Sequence, residues 1–141
     1  MAVKCLYKKS FYSDLREAKR TAIEAVGFLR DVFPSMHEDE AADLRLVFNE
    51  LLMNAVVHGN RLDIGKKVSI EIKIKGGYVY SRVTDEGTGF DYRKMVTEWN
   101  AEDNLFDDHG RGVRLAYHMT DKLKFSEKGS VIEFYKRLVK E

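Results

Sequence analysis

A single cysteine, Cys5, stands in the whole chain, so it cannot make an intramolecular disulfide, and no Cys/His cluster suggests zinc. A reducing, cytoplasmic setting is the expectation. There is one proline, Pro34, and no internal repeat, low-complexity tract or linker, so one domain over 1–141 is expected. An excess of one charge is also missing. Lys and Arg total 24 against 23 for Asp and Glu, a net +1, which is unlike a general nucleic-acid binder. No direct nucleic-acid contact is expected. No apolar run is long enough to span a membrane, and the apolar run near the N-terminus is too short for a secretion signal. No membrane association is expected either.

What remains is a chain of 141 residues, 44% hydrophobic and 33% charged, enough for one sizeable core. Residues 2–11 read as a strand. Asp14 with Glu17 reads as a capping box. It opens a helix in which Leu15, Ala18, Ala22, Val26, Leu29 and Phe33 recur at helical period. A second helix is expected from about Asp39 to Val57, burying Ala41, Leu44, Phe48, Leu51, Leu52 and Ala55, with Gly59 as its stop. Val68 to Lys75 alternates strictly, Gly76-Gly77 supplies a two-residue turn, and Tyr78 to Thr84 returns as the partner strand. The polar stretch 91–109 reads as a short helix and a long mobile segment. Gly112 to Met119 reads as a third helix, and a hairpin of 122–126 and 131–138 closes the chain. The expected class is α+β, a two-layer sandwich whose mixed, mostly antiparallel sheet is covered on one face by helices.

Three stretches carry candidate chemistry. The first is Glu50-Leu-Leu-Met-Asn54-Ala-Val-Val-His58-Gly59. Glu50 and Asn54 are four apart and share a helix face, with His58 another turn along. The plain reading is a polar stripe on an amphipathic helix. The functional reading gives Asn54 to magnesium, which often takes only one or two protein groups, and Glu50 to an attacking hydroxyl. The second stretch is Asp85-Glu-Gly87-Thr-Gly89-Phe90. It could be a simple turn. A carboxylate is acceptor-only, however, and can take a hydrogen bond from the exocyclic amine of adenine, while Gly87 and Gly89 let backbone come close. The third is Gly110-Arg111-Gly112 at a helix start. It could be only that. Its free N–H groups can also bind phosphate. Neither a Walker loop nor a dinucleotide fingerprint is present.

Together and in this order, the stretches resemble the N box and the two glycine boxes of the GHKL ATPases, which implies the Bergerat ATP-binding fold. The form Glu-x-x-x-Asn-Ala-x-x-His-Gly is similar to the bacterial anti-sigma-factor serine/threonine kinases. That resemblance covers nearly the whole chain. It implies Glu50 as catalytic base, Asn54 as magnesium ligand and Asp85 as adenine reader, with Gly87 and Gly89 shaping the pocket. It implies a lid over about 91–110, and Gly110 and Gly112 on the phosphates. Arg111 is placed to turn toward the phosphates, and His58 toward phosphate or ribose. The cofactors implied are ATP and Mg2+. The partners implied are a sigma factor, an anti-sigma antagonist protein that receives the phosphoryl group, and a second copy in a homodimer. One departure stands out. Asp108-His109 precede the second glycine box where the resemblance leads one to expect an arginine. The alternative function is a nucleotide-gated switch that clamps its partner with little or no kinase activity.

Overall fold

The computed structural model describes residues 4–88, 111–126 and 130–138. Strand β1 (Lys4–Tyr12) leads into helix α1 (Leu15–Val32), then helix α2 (Glu38–Asn54), whose end widens into a π-helical turn over Ala55–Gly59. Strands β2 (Lys67–Lys75) and β3 (Tyr78–Asp85) follow. Helix α3 (Arg111–Met119) and strands β4 (Lys122–Phe125) and β5 (Val131–Arg137) complete the described elements. The five strands form one sheet in the order β1-β2-β3-β5-β4. All four pairings are antiparallel, where a mixed sheet was expected.

Local chemistry explains the elements. Asp14 caps α1 by accepting the Arg16 N–H at 2.7 Å. Glu17 pairs with Arg20 at 2.5 Å, so the expected reciprocal box is a plain N-cap. At the start of α2 the reciprocal arm does exist: Glu40 accepts the His37 N–H at 3.2 Å. The β2–β3 turn places Gly76 at φ 59°, in the left-handed region that glycine enters without strain.

Alternation along each strand sends one row of side chains under the helices. Val68, Ile70 and Ile72 of β2, Val79 and Val83 of β3, and Ile132 and Phe134 of β5 are buried there. From above, α1 adds Ala18, Ala22, Ala25 and Leu29, and α2 adds Leu44, Val47, Phe48, Leu51 and Leu52. Phe48 and Phe134 meet with ring centroids 5.4 Å apart, tying α2 to the middle of the sheet. Each of the buried Val, Ile, Leu and Phe side chains contributes about 1.5–3 kcal/mol by leaving water. Leu15, the first residue of the helical apolar repeat, is 38% exposed, and the buried row of α1 begins at Ala18. Val68 lies opposite Asp85 in the β2–β3 register, and Asp85 N–H donates to Ser130 O at 2.9 Å, so the end of β3 is fixed from both sides. Asp85 therefore sits on the helix-facing side, beneath the end of α2.

Gly27 interrupts α1 without a visible reason. A Cβ built there meets nothing within 4 Å. Gly27→Ala should therefore stabilise the protein by about 0.5–1 kcal/mol through reduced unfolded-state freedom. A thermal melt should show a rise of a few degrees; a fall would mean that something not yet identified requires the glycine.

Candidate functional site

The site is built where α2 ends. Its last regular residue, Asn54, is 7% exposed. The next five residues adopt the wider π geometry. Asn60 N–H then reaches back to Ala55 O at 2.8 Å, and Leu62 N–H to Val56 O at 2.8 Å. Such turns widen a helix and re-aim its side chains, and they are frequent at functional sites. Arg61 and Leu62 leave it at φ 53° and 59°, a left-handed pair unusual for residues with side chains.

Gly59 is not the left-handed helix stop expected from the sequence; that conformation falls on the two residues after Asn60. Its lack of a side chain serves close approach instead. A Cβ at Gly59 would collide with the carboxylate of Asp85, lying 2.9 Å from Oδ1 and nearer still to Oδ2. A Cβ at Gly87 would collide with the Gly59 carbonyl and come within 3.1 Å of Asp85 Oδ1. The end of the first stretch and the start of the second are thus interlocked, glycine against carboxylate against glycine. Gly87 N–H donates to Asp85 Oδ1 at 2.8 Å, closing the loop on itself. Asp85 is 8% exposed. Burial raises its carboxyl above the usual Asp value, opposed by the Gly87 N–H and by the charge of Lys66.

The third stretch meets the first at its other end. A Cβ at Gly112 would strike the Glu50 carboxylate at Oε2, with Glu50 Cβ 3.1 Å and Cδ 3.2 Å away. Glu50 therefore lies against the opening turn of α3, whose first N–H groups have no partner within the helix. From Glu50 to Gly59 is nine residues, about 13 Å if all were α-helical. The site is thus elongated, with Asp85 near one end, Glu50 and the start of α3 at the other, and Asn54 between them. His58 is half-buried within the π turn. Arg111 opens α3, but its side chain, with Gly89, Gly110 and the expected lid over about 91–110, lies outside the described residues.

One organising residue escaped the sequence reading. Asn60, 1% exposed, accepts the Glu86 N–H at 2.8 Å through Oδ1. Its Nδ2 donates to Ser13 Oγ and to Lys67 O, each at 2.9 Å. Ser13 Oγ in turn donates to Lys66 O at 2.8 Å. One amide thereby ties the π turn to the β1–α1 junction, the start of β2 and the loop beyond Asp85. Glu86 is exposed and accepts the Lys67 N–H. An Asn following a glycine reads as an ordinary turn, and only its burial marks it otherwise. Among the described residues no group of three His, Cys, Asp or Glu could hold a metal ion.

Comparison with known proteins agrees with this arrangement. Residues 14–136 match the model of the histidine kinase-like ATPase domain. An anti-sigma F factor from Geobacillus kaustophilus (strain HTA426) is 34% identical over 67 residues, 48% of this chain and 44% of that protein. The chain thus spans less than half the length of that relative. An anti-sigma F factor from Anoxybacillus flavithermus (strain DSM 21510 / WK1) is 24% identical over 123 residues, 84% of this chain and 82% of that one. The mycobacterial sensor histidine kinase MprB superposes with a TM-score of 0.54 at 14% identity, over 96% of this chain and 100% of that one, a likeness of fold. The chain belongs to the histidine kinase-like ATPase domain family.

Proposed function

We propose that the protein is an ATP-binding anti-sigma regulator that phosphorylates a serine or threonine on a small antagonist protein. The interlock of Gly59, Asp85 and Gly87 carries the nucleotide half of this reading. It holds a buried carboxylate at the end of a strand, with one oxygen committed to Gly87 N–H. The other, Oδ2, would accept the adenine amine, and the bare backbone of the glycines would let the base come close. Guanine has a carbonyl at that position and would be refused. The anti-sigma half rests on the similar proteins and on the resemblance of the Glu50–Gly59 stretch.

The residues fit Mg-ATP. Asn54 would give one oxygen to magnesium, with phosphates and water completing the octahedron. Magnesium would neutralise phosphate charge. The N–H groups at the start of α3, reached across Gly112, would take phosphate oxygens, and Gly110, Arg111 and His58 would add contacts there. Glu50, at that same end, would accept the proton of the attacking hydroxyl. Transfer through a loose transition state needs mainly positioning and charge neutralisation, so an ordinary carboxylate suffices. A homodimer, with residues about 91–110 closing over the nucleotide, completes the reading. A cytoplasmic location is part of it, and no helix among the described residues is long and apolar enough to cross a membrane.

A second reading, the nucleotide-gated switch, is favoured by Asp108-His109, which put an acid where an arginine would assist transfer. Labelled ATP and a candidate antagonist separate the two. Label on a serine or threonine supports the kinase; bound nucleotide with no label transferred supports the switch. In the same assay Glu50→Gln, which keeps the packing against Gly112, should slow transfer by about 10²-fold or more and change ATP affinity little. Transfer at the wild-type rate would remove Glu50 from the role of base.

Asp85→Asn tests the other end. Folding raises this carboxyl's pKa, so the native state holds its proton more tightly than the unfolded chain. The ionised group therefore costs stability at neutral pH, a cost relieved as pH falls through the raised value. Asp85→Asn keeps an oxygen for Gly87 and removes that cost. The nucleotide-free variant should melt higher than wild type at neutral pH, with the advantage shrinking on acidification. Its ATP affinity, read by calorimetry, should fall roughly tenfold or more as a charged acceptor is lost. A variant that melts higher yet binds ATP as wild type would leave the adenine contact to another group.

A further inference from the structure

The helices cover one face of the sheet. The strand registers define the other face, and its charge is far from the chain's net +1. One cross-strand row reads Lys8, Glu71, Arg82, Glu133, Lys124. The next reads Lys73, Tyr80, Tyr135, Lys122, and beyond it Lys75, Tyr78, Arg137. At the opposite end Lys67 lies beside Tyr12. The rows hold two carboxylates, and both are engaged. Glu71 pairs with Lys8 at 3.5 Å and Lys73 at 3.2 Å; Glu133 takes the Tyr80 hydroxyl and lies 3.8 Å from Arg82. Among the described residues no ion pair joins a carboxylate to the side chain of Lys67, Lys75, Lys122, Lys124 or Arg137, though Glu86 accepts the Lys67 N–H and Asp121 the Arg137 N–H.

The tyrosines on this face fix several of these cations. Lys75 Nζ stands 5.2 Å from the Tyr80 ring centre and 5.8 Å from that of Tyr135. The Arg137 guanidinium is 5.8 Å from the Tyr78 ring and Lys67 Nζ 5.2 Å from that of Tyr12. Tyr80 itself is 3% exposed. The rings thus support cation heads, while Tyr12 and Tyr78 remain 52% and 37% exposed.

We infer that this sheet face, uncovered among the described residues, docks an acidic segment of a partner protein. Three observations select that occupant. The surplus of cations calls for a polyanion. Tyr80, in the middle of the face, is buried with Lys75 over its ring and cannot take a stacked base, the contact on which single-stranded nucleic acid depends. A second copy packed face to face would set cations against cations. Spacing agrees as well. Cations two residues apart on a strand are about 6.6 Å apart, and carboxylates four apart on a helix are about 6 Å apart. A groove of about 260 Å³ among Lys8, Ser10, Ser69, Glu71, Arg82 and Thr84 gives a partner side chain a seat on the same face.

The face lies on the side of the sheet away from Asp85, so docking is separable from nucleotide binding. The test uses the full chain, a fluorescein-labelled oligoglutamate peptide and fluorescence anisotropy at low ionic strength. Wild type should bind, and salt should weaken the complex. The triple variant Lys75→Glu/Lys122→Glu/Arg137→Glu should bind roughly tenfold or more weakly. The matching triple glutamine variant should fall between, and charge reversal at Arg16, Lys19 and Arg45 on the helical layer should leave binding unchanged. Far-ultraviolet circular dichroism checks folding, and the glutamine variant decides if the glutamate variant is unfolded. Equal peptide affinity in wild type and the folded sheet-face variants overturns the inference. So does a labelled single-stranded oligonucleotide that binds this face while the peptide does not. A dimer that the sheet-face variants dissociate would assign the face to a second copy and overturn it too.

Discussion

The approach of Gly59 to the carboxylate of Asp85 is the constraint on which the rest of the site depends. It requires an amide backbone and a buried anion to share space that any Cβ would fill. An ionised carboxyl in such a place is costly unless its oxygens are used, and the Gly87 N–H uses one of them. The raised pKa of Asp85 is the remainder of that cost. A protein selected for stability alone would place an apolar residue at the end of β3, opposite Val68. Keeping the acid there makes sense where the second oxygen has work to do.

The cost is contained by rigidity around it. Asn60 anchors the backbone beyond Asp85 to two other parts of the fold, and Ser13 relays that anchor to the segment before β2. The π turn and the left-handed pair Arg61 and Leu62 are unfavourable locally, yet they put the Asn60 amide at the crossing point. Glu50 is held differently, by the missing side chain of Gly112 and the packing of α3 against α2. One end of the site is thus set by hydrogen bonds across the sheet and the other by helix packing. Movement of α3 would disturb Glu50 and leave Asp85 in place.

This division explains what could be read from residue order. Helices and strands were legible because apolar period alone decides them, and the six residues expected to be buried in α2 are all in the core. The pairing of Glu50 with Asn54 followed from a four-residue spacing. Asp85 was legible because a strand and two glycines framed it. The π turn was not, since its residues have the same apolar character as the helix before it, and the extra residue per turn appears only in hydrogen bonds. Asn60 was hidden for a related reason. Its role depends on Ser13, Lys67 and Glu86, which adjoin it only after the sheet has formed. Gly59 was read as a helix stop because sequence reports that a side chain is absent, not what occupies its space.

The charge on the uncovered sheet face was hidden by averaging. A net +1 over the chain suggests no polyanion partner, yet alternation sends most cations of the five strands to one side, with Lys9 and Lys136 as exceptions. A strand with lysine at every second position looks, by itself, like an ordinary solvated edge. One or more cations from each of five strands, in register on one side, become a surface with a direction. The acids that balance them lie elsewhere, including Glu38, Asp39 and Glu40 at the start of α2. The fold thus gathers a surplus of cations beneath the sheet, with the candidate base Glu50 and the candidate adenine reader Asp85 above it. A partner recognised through the lower layer need not compete with a nucleotide held in the upper one, and one domain could hold both at once.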